Sequence, residues 1–436
     1  MLVDFTVENF RSLRNEQTLS FFVENQGTHL PENIRFPVKN IGVLSSAGIY
    51  GPNASGKSNI LLALQALFWL VDNSHTFKET ESIPAYEPYK LSNTCLSSPV
   101  CFSLEFVVTG ERYLYDIHYT ENEIVYEQLS YYSVGEKRTT LAKLYERQTG
   151  DDWDSMSFGG HFKGGARKIP FFKNQAYLSK AGNTPDAPDF IRSIYQFFVK
   201  GAHFIKQGNI DLDPRWKQNA ELVKGISYFL NALDNGITNI RVKERDVSKI
   251  NLSLPRDMPE EIKSTIINDL GYEIFFERKS EEGKIALFSL KDESDGMRSL
   301  INSLPLIMSV IHYGKILVWD ELETSLHPHV AELVLGLFND PEVNKNNAQL
   351  LFTTHNLALM NSSKMRKDQL WLVEKQDGAS HLISLDEFSS SQLKNSSPFA
   401  KWYYDGRLGG LPSINYPLIK SLFIKSSKEY EDGQGS

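Results

Sequence analysis

The residues with the clearest capacity for chemistry fall in three short runs. The first reads Gly51-Pro52-Asn53-Ala54-Ser55-Gly56-Lys57-Ser58, followed by Asn59. Its glycines let the backbone turn so that successive N–H groups point inward, and converging amides hold an anion. A helix that begins where the loop ends adds its positive terminus. Lys57 can then reach the β- and γ-phosphates of a nucleoside triphosphate, and the Ser58 hydroxyl can ligate Mg²⁺. The second run, Lys315 to Glu321, places Ile316-Leu317-Val318-Trp319 before Asp320-Glu321. A buried strand would deliver both carboxylates to its C-terminal end, where open α/β sheets bind ligands. Asp320 would hold the Mg²⁺, directly or through water, and Glu321 could orient or deprotonate an attacking water. The third run, Gln349 to Asn356, reads as a strand ending in a polar turn that carries His355. An apolar run ending in acid is common, and a lone histidine is usually structural. Their order behind a phosphate-binding loop gives both a catalytic reading.

These residues need elements to position them. Ile41 to Tyr50 is a strand-like run leading into the loop, and residues 58–72 read as a helix leaving it. Leu2 to Val7 and Thr18 to Phe22 read as short strands. Strand-like segments recur from Val100 to Ser133, with turns at Gly110-Glu111 and Glu121-Asn122, and Thr139 to Glu146 adds another. Past residue 150, Asp151, Asp152, Gly159, Gly160, Gly164 and Gly165 mark a polar segment of flexible composition. Residues 188–206 and 215–234 carry apolar side chains at helical spacing, and 245–283 are rich in charge. Nucleotide-fold patterns return from Ile285 to Ser384. No heptad run is long enough for an extended coiled coil. The expected division is residues 1–184 as the first part of a head with a β-rich subdomain, and 185–285 as an inserted, mainly helical lobe. Residues 286–423 complete the head, and 424–436 form a small, polar tail expected to be disordered.

Shortly before the acidic pair, Lys291 to Leu300 contains Ser294-Asp295-Gly296-Met297-Arg298-Ser299. Alone, a serine before a helix is an ordinary N-cap. In this position it resembles the signature of the ABC-type ATPases of the SMC, RecF and OLD-like group. That resemblance implies that Ser294 and Gly296 open a helix capping the γ-phosphate held by the opposite subunit. Thr324-Ser325-Leu326-His327-Pro328 resembles the dimer-contacting loop of the group, in the form typical of OLD-like members. His355 resembles its switch histidine. Glu8-Asn9-Phe10-Arg11-Ser12 is similar to the NFRS segment of SMC- and RecF-like heads, which implies that Arg11 and Ser12 lie near the nucleotide. The group also has a Q-loop glutamine, for which Gln128 and Gln175 are both candidates. Asn174 to Ser179, Asp234 to Ile237 and Tyr404 to Pro412 resemble segments of the small prokaryotic AAA-family ATPases of two-gene anti-phage, or abortive-infection, systems.

The resemblance implies an α/β fold: an ABC-type P-loop ATPase head with a mixed sheet. It implies an ATPase using ATP and Mg²⁺, a homodimer with ATP sandwiched between heads, and control of a separately encoded nuclease, Toprim-like or HNH-like, in anti-phage defence. Glu321, His355 and Lys57 would be catalytic, Ser58 and Asp320 would hold the metal, and Gly51 to Asn59, Arg11, Ser12, Ser294 and Gly296 would bind nucleotide. The alternative is a RecF-like repair ATPase that binds DNA directly. A scaffold using ATP only as dimer glue has no need of Glu321. No nuclease site is expected in this chain, since Asp211-Leu212-Asp213 follows no strong strand. A net charge of −8 excludes bulk neutralisation of nucleic acid but not a local basic patch. The cysteines, Cys95 and Cys101, lack the partners of a zinc site and fit a reducing, cytoplasmic setting. Ile60 to Val71, the longest apolar stretch, falls short of the ~20 residues of a membrane span. MLVDFTVENF lacks the basic start and apolar run of a signal peptide.

Overall fold

Strands that are apolar on both faces form a parallel sheet covered on each side. A computed structural model describes residues 1–24, 29–134, 139–206, 214–233, 236–246, 255, 258–389, 392–410 and 415–423. One of its sheets has six strands in the order β11 (Ala202–Ile205), β15 (Ile316–Trp319), β16 (Gln349–Thr353), β5 (Ser46–Tyr50), β17 (Leu370–Gln376) and β18 (Ala379–Ser384). All neighbours run parallel except β18, which is antiparallel to β17. Alternate side chains enter two cores, as the pleat dictates. Ala47, Ile49, Ile316, Val318 and Leu351 pack with the helix α1 (Lys57–Asn73). Tyr50, Leu317, Trp319, Leu350 and Phe352 pack with the helices Asp295–Tyr313 and Pro328–Asn339.

The second large sheet is antiparallel, with seven strands in the order β10 (Ser157–Phe158), β9 (Thr139–Gln148), β8 (Ile124–Val134), β7 (Glu111–Tyr119), β6 (Val100–Val108), β1 (Leu2–Glu8) and β2 (Gln17–Ser20). It shares the first core, on the α1 side of the parallel sheet. Two small antiparallel sheets complete the set. One pairs β3 (Ile34–Val38) with β4 (Ile41–Leu44), and the other runs β12 (Asn239–Glu244), β13 (Tyr272–Lys279), β14 (Ile285–Ser289). The fold is thus α/β, built around a mixed sheet. None of its described helices is long and apolar enough to cross a membrane.

Four expectations change. The apolar run Ile41 to Tyr50 is two strands in different sheets, broken at Ser45, whose hydroxyl donates to Asn33 O at 3.0 Å and to Asn339 Oδ1 at 2.7 Å. The helix expected over 188–206 ends at Lys200. Gly201 closes it, and Ala202 to Ile205 pair with Ile316 to Trp319. A four-residue apolar stretch fits a helix or a strand equally well, and the open edge of β15 decides. The segment 185–285 therefore divides. Its first helix and β11 join the head, and the rest combines the helices Ala220–Ala232 and Glu260–Leu270 with the sheet β12-β13-β14. The glycine-rich stretch after residue 150 is packed rather than loose: Phe162 is fully buried, and a Cβ on Gly165 would lie 2.6 Å from Asp186 O. Asp211 to Asp213, Asp234-Asn235, Leu411-Pro412 and residues 424–436 lie outside the described residues.

A buried carboxylate ties the antiparallel sheet to the helix that follows it. Glu127 on β8 is fully buried and receives hydrogen bonds from Tyr115 Oη at 3.0 Å and Tyr145 Oη at 2.9 Å. The amides of Tyr177 and Leu178 donate to it at 2.7 and 2.9 Å, and Arg147 Nε lies 3.1 Å away. Those amides open the helix Tyr177–Gly182, so the carboxylate faces the positive end of a helix. A buried charge with every lone pair engaged is tolerated, but removing one partner leaves the others stranded. Replacing Glu127 with Ala is expected to cost about 3–5 kcal/mol in unfolding free energy, measured by urea denaturation of the whole chain.

Candidate functional site

The loop Gly51–Gly56 connects β5 to α1 at the C-terminal edge of the parallel sheet. Gly51 sits so close to β17 that a Cβ there would lie 2.5 Å from Val373 O. Gly56 has φ 107°, and a Cβ would collide with Ser380 Oγ and lie 2.7 Å from Ser12 Oγ. Ala54 also adopts a left-handed conformation, at φ 62°. Asn53 and Ala54 form the exposed tip, while Ser55 is buried. Lys57 folds back along the loop: its Nζ donates to Gly51 O at 2.9 Å and Pro52 O at 3.0 Å and lies 3.1 Å from His355 Nε2. Burial pushes the Lys57 ammonium below its usual range, and Glu323, Glu321 and Asp320 act against that.

Ser58 Oγ donates to Asp320 Oδ1 at 2.9 Å. Thr353 Oγ1, at the end of β16, donates to the same oxygen at 2.6 Å and accepts from Glu321 N at 2.8 Å. Glu321 itself is left-handed, with φ 56° and ψ 63°, an uncommon conformation for a side chain of its kind. That turn takes the chain out of β15 as soon as Asp320 is placed. On the same edge, Thr354 Oγ1 donates to Glu323 Oε2 at 2.6 Å and His355 N to Glu323 Oε1 at 2.5 Å. The exposed His355 ring is held below its ordinary pKa, first by the partial burial it has and then by Lys57, against Glu323 and Glu321. With Lys57 charged, His355 Nε2 is the acceptor of their contact, which leaves the ring proton on Nδ1.

Arg11 and Ser12 are placed differently from one another. Ser12 braces the loop from behind. Its Oγ accepts from Asn59 Nδ2 at 2.6 Å and from Ser380 Oγ at 2.7 Å, and Ser380 N donates to Ser12 O at 2.8 Å. Arg11, at φ 50°, pairs with Glu87 at 2.6 Å. Both line a cleft of about 470 Å³ beside the loop, together with Asn59, Tyr89, Lys90 and Lys375.

Ser294 caps the helix Asp295–Tyr313, its hydroxyl accepting from Met297 N at 3.3 Å. Ser294, Asp295 and Gly296 are all exposed, and a Cβ on Gly296 would meet nothing within 4 Å. The turn before them is anchored by Arg278 on β13, which donates to both oxygens of the buried Glu293 at 2.7 and 3.0 Å. His327 caps the helix Pro328–Asn339 and is exposed with Pro328.

Neither glutamine considered for the Q-loop lies in this group. Gln128 on β8 bonds Tyr126 and Ser130, and the Gln175 amide is spent on the carbonyls of His75 and Phe77. The strand beside β15 is β11, and Asp320 N donates to its last carbonyl, Ile205 O, at 2.9 Å. Gln207 follows Ile205 by one intervening residue in the chain and lies outside the described residues. Thr353, Glu323 and Ser380 are partners that motif reading missed. Thr353-Thr354 stood beside His355 as a signal, whereas Ser380 comes from a segment with no motif at all.

A family model described as "AAA domain, putative AbiEii toxin, Type IV TA system" matches residues 46–361. A search of curated proteins returned no match. Among solved structures, the SMC head domain from Thermotoga maritima is similar at 16% identity and a TM-score of 0.40, covering 88% of this chain and 98% of that one. The SmcHead bound to the C-winged helix domain of ScpA is similar at 13% identity and a TM-score of 0.38, with the same two coverages of 88% and 98%.

Gly56→Ala forces a side chain into the left-handed region and against Ser380 and Ser12. It is expected to weaken binding of a fluorescent ATP analogue by about five- to thirtyfold, from the ~1–2 kcal/mol cost of that backbone conformation. Adding Ser380→Gly, which removes the closest contact but leaves Ser12 and the backbone conformation, should restore only part of the loss.

Proposed function

Because the chain belongs to the AAA-domain family matched over residues 46–361, we propose that it is an ATP-hydrolysing switch in which two copies close around Mg-ATP. The observation that carries this reading is the unbroken path from Ser58 through Asp320 and Thr353 to Glu321, which joins the phosphate loop to the acidic pair. The residues fit the groups they would hold. Ser58 and Asp320 offer the hard oxygen donors that suit Mg²⁺. The loop has a glycine cradle, and the buried Ser55 hydroxyl has no hydrogen-bond partner among the described residues. Mg²⁺ bound there would neutralise charge developing on the phosphates.

The protein's own part is positioning and electrostatics. Lys57 can trade its loop carbonyls for phosphate oxygens. Glu321, fixed by Thr353, orients a water or takes its proton. His355, neutral and beside Lys57, meets the γ-phosphate and registers its loss. The cleft around Arg11, Tyr89 and Lys90 can receive the base and ribose. Gln207 suits the Q-loop by its place after β11 in the chain.

The exposed N-terminus of the helix Asp295–Tyr313 supports closure by a second copy. Its hydroxyl, its open glycine and its positive end are available to an anion arriving from outside the chain. The dimer-side residues His327 and Pro328 are exposed as well. The family description names an AbiEii toxin and a Type IV TA system, which supports a partner protein. We place the chain in anti-phage defence, in the cytoplasm, as the ATPase that governs a separately encoded nuclease of Toprim-like or HNH-like type.

The test is light-scattering mass of wild type and Glu321→Gln, with and without Mg-ATP, alongside phosphate release. The variant should lose turnover by about a hundredfold or more and be held by ATP in a larger assembly. Wild-type turnover in Glu321→Gln, or no effect of ATP on the mass of either protein, would refute the reading.

A further inference from the structure

The parallel ladder between β15 and β16 ends at the pair Trp319–Phe352. Beyond it, no strand pairing holds the two chain segments that carry the chemistry. Side chains do that work instead. Thr353 links to Asp320 and Glu321, and one turn further on Glu323 takes both the Thr354 hydroxyl and the His355 amide, through separate oxygens at 2.6 and 2.5 Å. Glu323 lies in the helix Leu322–Ser325, which runs directly into the buried Leu326 and the exposed His327-Pro328. An acidic residue in the first turn of a helix ordinarily serves its own helix. Here both carboxylate oxygens point away from it, to a strand end that comes later in the chain.

We propose that Glu323 is a positioning residue that couples the dimer-side loop to the switch histidine. Resting on the ATP-clamp reading, this assigns a path for the signal: a partner copy that presses on Thr324–Pro328 moves Glu323, and Glu323 carries the backbone at His355 with it. A carboxylate with two charge-assisted hydrogen bonds to adjacent backbone and side-chain donors fixes that turn more tightly than one bond would. The His355 ring stands against Lys57 at 3.1 Å because the peptide that bears it is clamped. Glu323 therefore orders the histidine without needing to touch the nucleotide.

The experiment compares Glu323→Ala, Thr354→Val, His355→Ala and the double variant Glu323→Ala/His355→Ala in the full chain, by steady-state ATP turnover. Glu323→Ala should lower kcat at least about tenfold while KM for ATP changes less than about threefold. Thr354→Val, which removes one of the two bonds, should lower kcat in the same sense by less. The double variant should fall no more than about twofold below His355→Ala alone, because both changes disable the same element. Unchanged kcat in Glu323→Ala, a loss carried by KM, or losses that multiply in the double variant would overturn the assignment. Thermal melting shows whether each variant folds; if Glu323→Ala does not, Glu323→Gln and Thr354→Val are held to the same comparison with His355→Ala. Failure of these arms while Glu321→Gln abolishes turnover removes only Glu323's role. A wild-type chain without ATP turnover removes both readings.

Discussion

Asp320 Oδ1 is the point on which the site converges. It receives the Ser58 hydroxyl from α1 and the Thr353 hydroxyl from β16 while its own backbone N–H is bonded to β11. One residue thus joins α1, β11 and β16 to its own strand, β15, at the edge where the sheet ends. The rest of the site is arranged around that group. The loop is held at the distance Ser58 permits, and Thr353, having donated to Asp320, has its lone pair free for the Glu321 amide.

That arrangement is strained in one place. Glu321 has a left-handed backbone, at a cost of about 1–3 kcal/mol for a side chain of this kind. The Thr353 acceptor on its N–H holds the conformation from one side, and Thr324, which donates to Glu321 O at 2.5 Å, holds it from the other. A regular continuation of β15 would carry Glu321 to the opposite face from Asp320, since strand side chains alternate. The left-handed turn instead brings the Glu321 amide back onto Thr353, the residue that also bonds Asp320.

The legible parts of this protein are those whose physics is local. The phosphate loop announces itself because two glycines, a lysine and a serine must keep fixed spacing to fold around an anion. The strands on either side show as apolar runs, and Asp320-Glu321 shows as acid after a run. Ser380 and Thr353 act across strands, and nothing in their neighbourhood requires the role they take, so spacing cannot reveal them. The strand Ala202–Ile205 was hidden for a related reason: its mostly apolar residues can continue the pattern of the amphipathic helix past Gly201, and only the vacant side of β15 makes them a strand. Glu127 was invisible because a carboxylate among tyrosines reads as surface alternation until the sheet is covered. Where Gln128 and Gln175 bond was equally hidden, since neither residue's neighbours in sequence reveal its partners across the fold.

The strand that leads into the phosphate loop lies between β16 and β17, both drawn from the far end of the chain. A ribosome releases β5 long before either neighbour exists. Until then its residues, all buried in the finished fold, have no ladder to join and the glycine loop has no wall to fold against. Contacts of such separation form slowly, because the chain between them must first be ordered. The nascent protein is therefore obliged to remain without a nucleotide site until Leu370 to Gln376 have emerged, and a product cut short before them would carry the complete phosphate-loop motif yet lack the scaffold that shapes it. Such fragments would expose β5 as a sticky apolar segment for chaperones and proteases to find.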